Sequence, residues 1–543
     1  MHTLEARIEA AARGSAGVTF VTGDRSERVS WAELHADARD RAGALMGRGI
    51  GPGVHVGILG PTNRALATLI QAVWLSGATV VVMPLPMRLS SIDDFVRQTR
   101  ERARHADLAL LLVDPEFAPF VTAEPGDPPI VAYDELASAP FTTRSADSTQ
   151  LAIVQFTSGS TADPKAVTLP HRTVCANLDA IATAANLDVD DDVMVSWLPL
   201  YHDMGLVGFL ILPMTTGCEL VLGAPQDFLA SPLRWMRWLS DHRGTATAGP
   251  NFAWVLATRA LQRLGDDERL DLSRLRIALN GAEPVDADAV ESFVRAGERH
   301  GLRPGAVFPA FGMAEVVIGA TFPEPMSGLC VDVVDVHAIE HAGRAVPVDP
   351  SSSDARRFVR LGRPLPGLDI RIVDPDRGGV LADRFVGELE IRGTSVTPGY
   401  YKRPDLQEES FRGEWLRTGD LAYVVDGELV VCGRRKDVVI IGGRNIFPDE
   451  IERAVGAVDG VRAGNVIVFG VEGRGKKEAL VVVAELRGDD EVLVRKYVAE
   501  RVRDVAGVPA KDIVLVAPST LPKTSSGKLQ RSVCRERYLA GEL

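Results

Sequence analysis

Apolar runs rich in β-branched residues alternate with helical-period segments through the first 330 residues, and this alternation constrains the fold most strongly. Clear runs occupy residues 78–86 (ATVVVMPLP), 219–225 (ELVLGAP) and 276–284 (RIALNGAEP). The third run precedes DADAVESFVRAGERHG, in which Asp286 or Asp288 can cap the start of a helix. Strands that alternate with helices predict an α/β architecture with largely parallel sheets.

Two later segments have a different character. Residues 359–432 contain the short alternating strands LDIRIVD, VGELEIRG and GELVVCG, which predict a small antiparallel β unit. Helical and strand patterns after GRRKD (433–437) predict a compact α+β unit. A chain of 543 residues exceeds what one hydrophobic core usually supports. We therefore predict an N-terminal domain over 1–433, with α/β subdomains to about 358 and the β unit at about 359–433, and a mobile C-terminal domain over 434–543.

The composition is that of an ordinary globular protein, with 46% apolar and 24% charged residues. The five cysteines lie far apart without a CxxC pair, which suggests neither a zinc site nor disulfides and predicts a cytoplasmic location. The N-terminal MHTLEARIEAAARG lacks the apolar stretch of a signal peptide. The most apolar span, Leu66 to Pro84, is interrupted by Gln71 and Ser76, so no transmembrane segment is predicted.

The formal net charge of −13 argues against general nucleic-acid binding. The charge is unevenly spread, because residues 434–543 carry 20 Lys and Arg against 16 Asp and Glu, a net +4, which leaves −17 for the remainder. A basic C-terminal part can attract an acidic partner. Random variation of the surface is the alternative explanation of so small a difference.

A loop rich in hydroxyls follows the apolar run at 151–154, in the stretch QFTSGSTADPKAVTLPHR (155–172). Hydroxyls, a glycine and a lysine directly after a strand are typical of a phosphate-binding loop. The loop lacks the second glycine of a Walker A motif, and the later GKL lacks its Ser or Thr, so the chain has no P-loop NTPase site. Taken alone, such a loop is more often a solvated turn than a phosphate site.

Six further motifs follow in order: SWLPLYHDMGL, LNGAEP, FGMAE, LRTGDL, GRRKD and PKTSSGK. With the loop, this set resembles the adenylate-forming superfamily, which includes acyl-CoA ligases, peptide-synthetase adenylation domains and fatty acyl-AMP ligases. The resemblance covers essentially the whole chain. It implies a large α/β domain with a small mobile C-terminal domain, and a two-step reaction in which ATP and a carboxylate give acyl-AMP and pyrophosphate before a thiol takes the acyl group.

The resemblance also implies roles for individual residues. The loop would wrap the ATP phosphates, and Glu315 would bind Mg²⁺. Ala162 and Ala166 stand at two loop positions where the family usually has glycine, which predicts a stiffer loop. The implied phosphate-binding residues are Thr157, Ser158, Gly159, Ser160, Thr161 and Lys165. The implied adenine- and ribose-binding residues are Gly281, Ala282, Glu283, Phe311, Gly312, Met313, Asp420 and Arg434.

Three further residues would serve the reaction itself. Lys528 resembles the mobile lysine that bridges the carboxylate and the α-phosphate in the transition state. Lys436 lies at the position of the hinge about which the small domain rotates between the two half-reactions. His202 resembles the gate between the nucleotide site and the acyl tunnel.

Within the superfamily, SWLPLYHDMGL, GPNFAW, LNGAEPV and GRNIFPDEIE resemble fatty acyl-AMP ligases. Residues 316–361 are longer than the matching part of acyl-CoA ligases, and in fatty acyl-AMP ligases a segment inserted there restricts the rotation used for CoA. A variable surface loop is the alternative interpretation. Ile440 stands where acyl-CoA ligases carry a lysine that serves thioester formation.

We therefore predict ATP- and Mg²⁺-dependent activation of a medium- or long-chain fatty acid, followed by transfer to the phosphopantetheine thiol of an acyl carrier protein. The narrower resemblance is to the carrier-protein ligase of mycobactin-type siderophore synthesis. The alternatives are a fatty acyl-CoA ligase, an amino-acid adenylation domain, and a non-catalytic paralogue that binds acyl-adenylate or the carrier. The sequence leaves the acyl chain length, the carrier and the oligomeric state undetermined.

Overall fold

The structure is a computed structural model that describes residues 2–85, 92–144, 147–157, 165–473, 478–488, 490–524 and 527–543. The statements below concern these residues. The predicted phosphate ligands Ser158, Gly159, Ser160 and Thr161 lie outside the described residues.

Two seven-stranded sheets dominate the first part of the chain. The first sheet is made of β1 (Gly17–Thr22), β2 (Arg25–Ser30), β9 (Val193–Ser196), β10 (Glu219–Gly223), β11 (Ala246–Gly249), β12 (Ile277–Asn280) and β13 (Val307–Pro309). The second is made of β3 (His55–Leu59), β4 (Thr79–Val82), β5 (Leu108–Val113), β6 (Ile130–Ala132), β7 (Leu151–Phe156), β8 (Ala166–Pro170) and β21 (Gly399–Tyr400).

The strand orders are β13-β12-β11-β9-β10-β1-β2 and β21-β8-β7-β4-β3-β5-β6. Both sheets are parallel in their interior and become antiparallel toward one edge, at β2 in the first sheet and at β8 and β21 in the second. The predicted α/β class with largely parallel sheets is confirmed.

The remaining strands form smaller sheets. Three short sheets are β14 (Phe311–Gly312) with β15 (Gly319–Phe322) and β18 (Arg363–Pro364), β16 (Val331–Asp335) with β17 (Ala355–Val359), and β25 (Val439–Ile441) with β26 (Arg444–Ile446). An antiparallel sheet holds β19 (Leu368–Val373), β20 (Gly387–Gly393), β22 (Phe411–Arg412), β23 (Trp415–Val425) and β24 (Glu428–Arg434), which is the β unit predicted near 359–433. The last sheet is β27 (Val461–Glu472), β28 (Glu478–Leu486) and β29 (Asp512–Val516).

Helices cover both large sheets and the last sheet. They are α1 (Leu4–Ala11), α2 (Trp31–Gly47), α3 (Arg64–Leu75), α4 (Ile92–His105), α5 (His171–Ala184), α6 (Leu212–Thr216), α7 (Pro225–Ala230), α8 (Leu233–Asp241), α9 (Asn251–Gln262), α10 (Ala287–Gly297), α11 (Val336–Ala342), α12 (Pro404–Ser410), α13 (Pro448–Gly456), α14 (Glu491–Ala506) and α15 (Arg531–Ala540). A π-helical segment, Met204–Ile211, precedes α6. Among the helices described, none is both long and apolar enough for a membrane span.

Local sequence signals explain several of these helix starts. Ser30 and Glu33 form a reciprocal capping box at α2. Asp286, and not Asp288, caps α10, since its carboxylate accepts the N–H of Ala289 at 2.8 Å. Capping satisfies backbone N–H groups that a helix start otherwise leaves without partners.

The hydrophobic core is divided along the chain. One cluster joins the two large sheets and part of the β unit, whereas most buried apolar residues from Val439 onward pack into separate clusters of their own. Phe447 is the exception among the described residues, because it packs with residues of the β unit such as Tyr423. We refer to residues 439–543 as the C-terminal unit. A separate core agrees with a separate domain, and the exact boundary at 433/434 stays a prediction.

Candidate active site

A cavity of about 2840 Å³ lies where the first large sheet, the β unit and the C-terminal unit meet. Every predicted site residue that the structure describes lines this cavity. These are Thr157, Lys165, His202, Gly281, Ala282, Glu283, Phe311, Gly312, Met313, Glu315, Asp420, Arg434, Lys436 and Lys528. Motifs spread over more than 350 residues of sequence are therefore brought to one cleft, and we test below what each can do there.

The two ends of the predicted phosphate loop are fixed by adjacent strands. β7 leads into the loop and β8 leaves it, and the N–H of Thr157 donates to the carbonyl oxygen of Lys165 at 2.9 Å. Ala166 is paired with Phe156 in this ladder, in ordinary extended backbone and fully buried. Alanine at 166 therefore imposes no left-handed strain, and the expected stiffening does not arise from this position.

Glu315 presents a buried carboxylate to the cleft. The hydroxyl of Tyr400 donates to its Oε1 at 2.9 Å, and the Lys165 ammonium lies 5.2 Å from the Tyr400 ring centre. Burial raises the pKa of Glu315, and the Tyr400 hydrogen bond, Arg434 and Lys165 act against that rise. A single carboxylate set beside the phosphate loop is the kind of ligand that Mg²⁺ uses together with substrate phosphates. The residues present therefore fit a magnesium ion.

Small residues shape the predicted adenine site. A Cβ atom on Gly312 would lie 1.7 Å from the carbonyl oxygen of Ile318, so only glycine fits there. A Cβ atom on Gly281 would lie 2.9 Å from the carbonyl oxygen of Ala310, and Ala282 adopts a left-handed φ of 66°. Because of these close approaches, Gly281 and Ala282, which follow β12, lie next to β14, and Phe311 of β14 lines the cavity there.

Asp420 and Arg434 face each other across neighbouring strands of the β unit. The Nε of Arg434 donates to Oδ1 of Asp420 at 2.7 Å, and the N–H of Asp420 donates to the Thr418 hydroxyl at 3.0 Å. Oδ2 of Asp420 is buried and accepts no hydrogen bond. Burial raises the pKa of Asp420, whereas Arg434 opposes the rise. A buried acceptor without a partner is costly, and a ribose hydroxyl is the complement that this position can hold.

Lys528 reaches into the same cleft from the loop before α15. Burial lowers the pKa of its ammonium group, and the carboxylates of Glu283 and Asp203 act in the opposite direction. Its backbone is held by Thr524, whose N–H donates to the Lys528 carbonyl oxygen at 2.8 Å. The C-terminal unit is thus seated with its lysine facing the predicted nucleotide site.

Asp203 is a site residue that the sequence reasoning missed. Its carboxylate lies 2.7 Å from Nδ1 of His202 and accepts the N–H of Met204 at 2.7 Å, at the start of the π-helical segment. Although burial acts to raise it, the pKa of Asp203 is lowered by His202 and Lys528, so the group stays anionic. The available signal was its place beside His202 in LPLYHDMGL.

Arg531, three residues after Lys528, was also missed. Its guanidinium donates to Asp449 Oδ1 and Glu452 Oε1, each at 3.0 Å, and to Asp437. Asp437 closes the short 3-10 turn Arg435–Asp437, which contains the predicted hinge residue Lys436. Arg531 therefore ties the loop that carries Lys528 to α13 and to the turn that contains Lys436.

Residues 316–361, the segment predicted to be longer than in acyl-CoA ligases, form regular elements and contact the C-terminal unit. β16, α11 and β17 lie within it. Glu340 of α11 accepts from Arg444 at 2.6 Å, and Arg356 of β17 lies 3.0 Å from Glu450 of α13. Arg356 also lies over the Phe447 ring, 5.2 Å from its centre. These contacts tie the segment to the C-terminal unit, and the alternative of a variable surface loop stays open.

The fold is that of an adenylate-forming enzyme, and its cleft contains the predicted phosphate-loop lysine, a buried carboxylate, a buried carboxylate oxygen without a partner and a lysine of the C-terminal unit. The chain belongs to the AMP-binding enzyme family, whose model matches residues 8–401. The predicted resemblance is thereby confirmed.

Three comparisons place the chain more closely. It is 40% identical over 515 residues to Rv1013 of Mycobacterium tuberculosis, a protein named only as a ligase, covering 93% of this chain and 94% of that protein. It is 35% identical over 414 residues to the medium-chain-fatty-acid–[acyl-carrier-protein] ligase JamA of Moorena producens, covering 73% and 69%. A solved structure from studies of fatty acyl-adenylate ligases of E. coli and L. pneumophila shares 32% identity with a TM-score of 0.92, covering 99% of this chain and 98% of that one.

Proposed function

We propose that this protein activates a medium- or long-chain fatty acid with ATP, releasing pyrophosphate, and passes the acyl group from acyl-AMP to the phosphopantetheine thiol of an acyl carrier protein. The observation that carries the proposal is the meeting of Lys528, Glu315 and the partnerless Oδ2 of Asp420 in one cleft. The names of JamA and of the fatty acyl-adenylate ligases support the substrate and the acceptor.

The first step needs two anions to approach each other. Attack of the fatty-acid carboxylate on the α-phosphate forms a P–O bond and expels pyrophosphate. The ammonium of Lys528 would lie between the carboxylate and the α-phosphate, while Lys165 faces the departing phosphates. Asp420 and Arg434 would hold the ribose, which fixes the α-phosphate at the distance that in-line attack requires.

A magnesium ion would be held by Glu315 together with the substrate's phosphates. When bound, it supplies further neutralisation of the triphosphate charge. Glu315 itself contributes a carboxylate whose orientation is fixed by Tyr400 at 2.9 Å. Tyr400 belongs to β21, the strand paired with β8 beside the phosphate loop, so ligand and loop are positioned by the same sheet edge.

In the second step, the acyl group of acyl-AMP passes to a thiol, which belongs either to a carrier protein or to CoA. The contacts of residues 316–361 with α13 and β26 oppose rotation of the C-terminal unit, and rotation is what a CoA ligase uses to admit its thiol. Ile440, where CoA ligases carry a lysine, is 56% exposed and offers no charge. Both features favour the carrier protein as acceptor.

The acyl products formed with CoA and with a carrier protein test the proposed function. The purified protein is incubated with ATP, Mg²⁺, a mixture of saturated acids from octanoic to octadecanoic, and either CoA or a holo-carrier protein, and acyl products are identified by mass. We expect acyl-AMP to accumulate with CoA and acyl-carrier to form with the holo-carrier. Abundant acyl-CoA would replace the proposal with a fatty acyl-CoA ligase. Absence of ATP–pyrophosphate exchange with any acid would identify a non-catalytic paralogue.

Loosening the contacts of residues 316–361 is expected to admit CoA. In the double variant Glu340→Gln and Glu450→Gln, two ion pairs to the C-terminal unit are lost while both side chains keep their shape. A shift of ~1.4 kcal/mol in the rotation equilibrium corresponds to about a tenfold gain in acyl-CoA formation. Acyl-AMP formation should stay within about twofold, because neither residue is a predicted ligand of ATP or of the acid, although Glu450 lines the cavity.

The matched control is Asp369→Asn, which removes the ion pair with Arg392 between β19 and β20, two strands of the same sheet. This change leaves the contacts of the C-terminal unit intact and should leave acyl-CoA formation unchanged. Equal gains in the control and the double variant, or no gain in either, would contradict the role given to residues 316–361.

A further inference from the structure

One branch of the cavity runs along a single face of the first large sheet. Side chains that point to the same face recur at every second residue of a strand. On β12 and beyond it, Ile277, Leu279 and Gly281 line the cavity, and on β13 and beyond it Phe308 and Ala310 do so. Apolar residues of α5, of its C-cap and of the π-helical segment also line the cavity, namely Ile181, Ala182, Ala185, Met204, Gly208 and Phe209. The branch is therefore an apolar tunnel that begins at Gly281.

The tunnel ends at a row of three residues in register. Ala246 of β11 is paired with Met194 of β9 on one side and with Ile277 of β12 on the other. All three line the cavity. The residues that precede them on their strands, Val193, Thr245 and Arg276, do not. The row Met194–Ala246–Ile277 is accordingly the floor of the tunnel.

A polar network occupies the starts of these strands, next to the row. Arg276 donates through Nε to Oδ1 of Asp192 at 2.8 Å, and the Thr245 hydroxyl donates to the same oxygen at 2.7 Å. Arg276 also donates to the carbonyl oxygen of Ala185 at 2.7 Å, which ties the end of α5 to the start of β12. A hydrocarbon chain that extended past the row would have to break this buried ion pair, which is strongly unfavourable.

The open end of the tunnel is set by the reacting groups. Gly281, Glu283 and Lys528 all line this cavity, and Glu283 follows Gly281 by two residues. Resting on the proposed function, the acid's carboxyl carbon would therefore lie near the level of Gly281. From Gly281 to Ile277 the strand advances four residues, or about 13 Å at ~3.3 Å per residue.

This length can be converted into carbons. An extended chain advances ~3.6 Å per three bonds, or about 1.2 Å per bond, so that 13 Å holds about eleven bonds. We infer that the tunnel is built for saturated acids of about ten to twelve carbons, and that Met194, Ala246 and Ile277 set this limit. The protein is thus a medium-chain enzyme, and hexadecanoic acid is too long for it.

The chain-length profile tests the inference. ATP–pyrophosphate exchange is measured for each saturated acid from hexanoic to octadecanoic, giving kcat/KM for every length. We expect a maximum at decanoic or dodecanoic acid and a fall of about tenfold or more at hexadecanoic acid. Equal use of hexadecanoic and dodecanoic acids would overturn the inference while leaving the proposed function standing. No exchange at any length would overturn both.

Two variants of the floor move the maximum in opposite directions. Ala246→Leu raises the floor and should shift the maximum shorter by two or more carbons. Met194→Ala lowers it and should shift the maximum longer. Ala278→Val is the matched control, because Ala278 is buried on the same strand as Ile277 but points to the other face, toward Trp254 and Phe293.

The control separates packing from specificity. Ala278→Val should lower the melting temperature without changing the chain length at which kcat/KM is highest. If Ala246→Leu folds poorly, the smaller change Ala246→Val should still shift that optimal chain length. A maximum that moves equally in Ala278→Val, or that stays fixed in both Met194→Ala and the Ala246 variants, would overturn the assignment of the floor.

Discussion

Replacing Lys528 with alanine is expected to reduce acyl-AMP formation by about a thousandfold, because the cation proposed to lie between the two anionic reactants is then lost. The ammonium lies among the carboxylates of Glu283 and Asp203, so its loss also leaves both of these with less compensation. Initial rates of pyrophosphate release under saturating ATP and fatty acid measure the effect. Lys496→Ala, which removes an exposed lysine of α14, is the control and should retain full activity.

The same variant should separate the two half-reactions. Acyl transfer from chemically prepared acyl-AMP to a holo-carrier does not form the P–O bond and needs no cation at the α-phosphate. We therefore expect Lys528→Ala to transfer at a rate within about threefold of the parent protein. An equal loss in both half-reactions would show that Lys528 supports the fold of the cleft and does not act on the transition state.

The pH profile supplies a second readout for this lysine. Burial lowers the pKa of Lys528, so the ammonium loses its proton at a lower pH than a free lysine does. Since the charged form is the active one, adenylation should fall as pH rises through this lowered pKa. Lys528→Arg should be slower but free of that alkaline decline, because arginine remains charged. An unchanged alkaline decline in Lys528→Arg would assign the titration to another group.

Much of the site could be predicted because its residues sit in contiguous motifs. Glu315, Asp420 and Lys528 each lie in a short string that resembles the family, and the structure brings all three to one cavity. Asp203 was missed although it lies next to His202, whereas Tyr400 and Arg531 act through partners distant in sequence. Tyr400 lies 85 residues from the Glu315 it orients, and Arg531 lies 79 residues from Glu452. A linear pattern carries no information about such pairs.

The fold shows the same division between local and distant information. Alternating runs predicted the parallel sheets, and Asp286 was one of two candidate caps for α10. The predicted backbone strain at Ala166 is absent, because pairing with Phe156 in the strand ladder sets the conformation of this residue, and the loop does not. The tunnel floor could not be predicted either, since Met194, Ala246 and Ile277 become neighbours only through the register of three strands.

Asp420→Ala is the second change with a large expected effect, through ATP binding. The buried Oδ2 of Asp420 has no partner in the protein, and a hydrogen bond to a charged group contributes ~1.5–3 kcal/mol. If both ribose hydroxyls bind this carboxylate, kcat/KM for ATP should fall by about a hundredfold or more. Asp426→Ala, on the turn between β23 and β24, removes an exposed carboxylate of the same sheet and serves as the control.

Deoxynucleotides test whether that loss arises at the ribose. The parent protein should use 2′-deoxy-ATP and 3′-deoxy-ATP less well than ATP, because each lacks one donor to the carboxylate. In Asp420→Ala this discrimination should disappear, since the acceptor is gone and the hydroxyl no longer has a partner to lose. Loss of the Arg434 partner alone, in Arg434→Ala, should weaken but not abolish the discrimination, because Oδ2 remains in place. If Asp420→Ala still preferred ATP as strongly as the parent does, its carboxylate would have a structural role within the β unit, and the ribose would have to be bound elsewhere in the cleft.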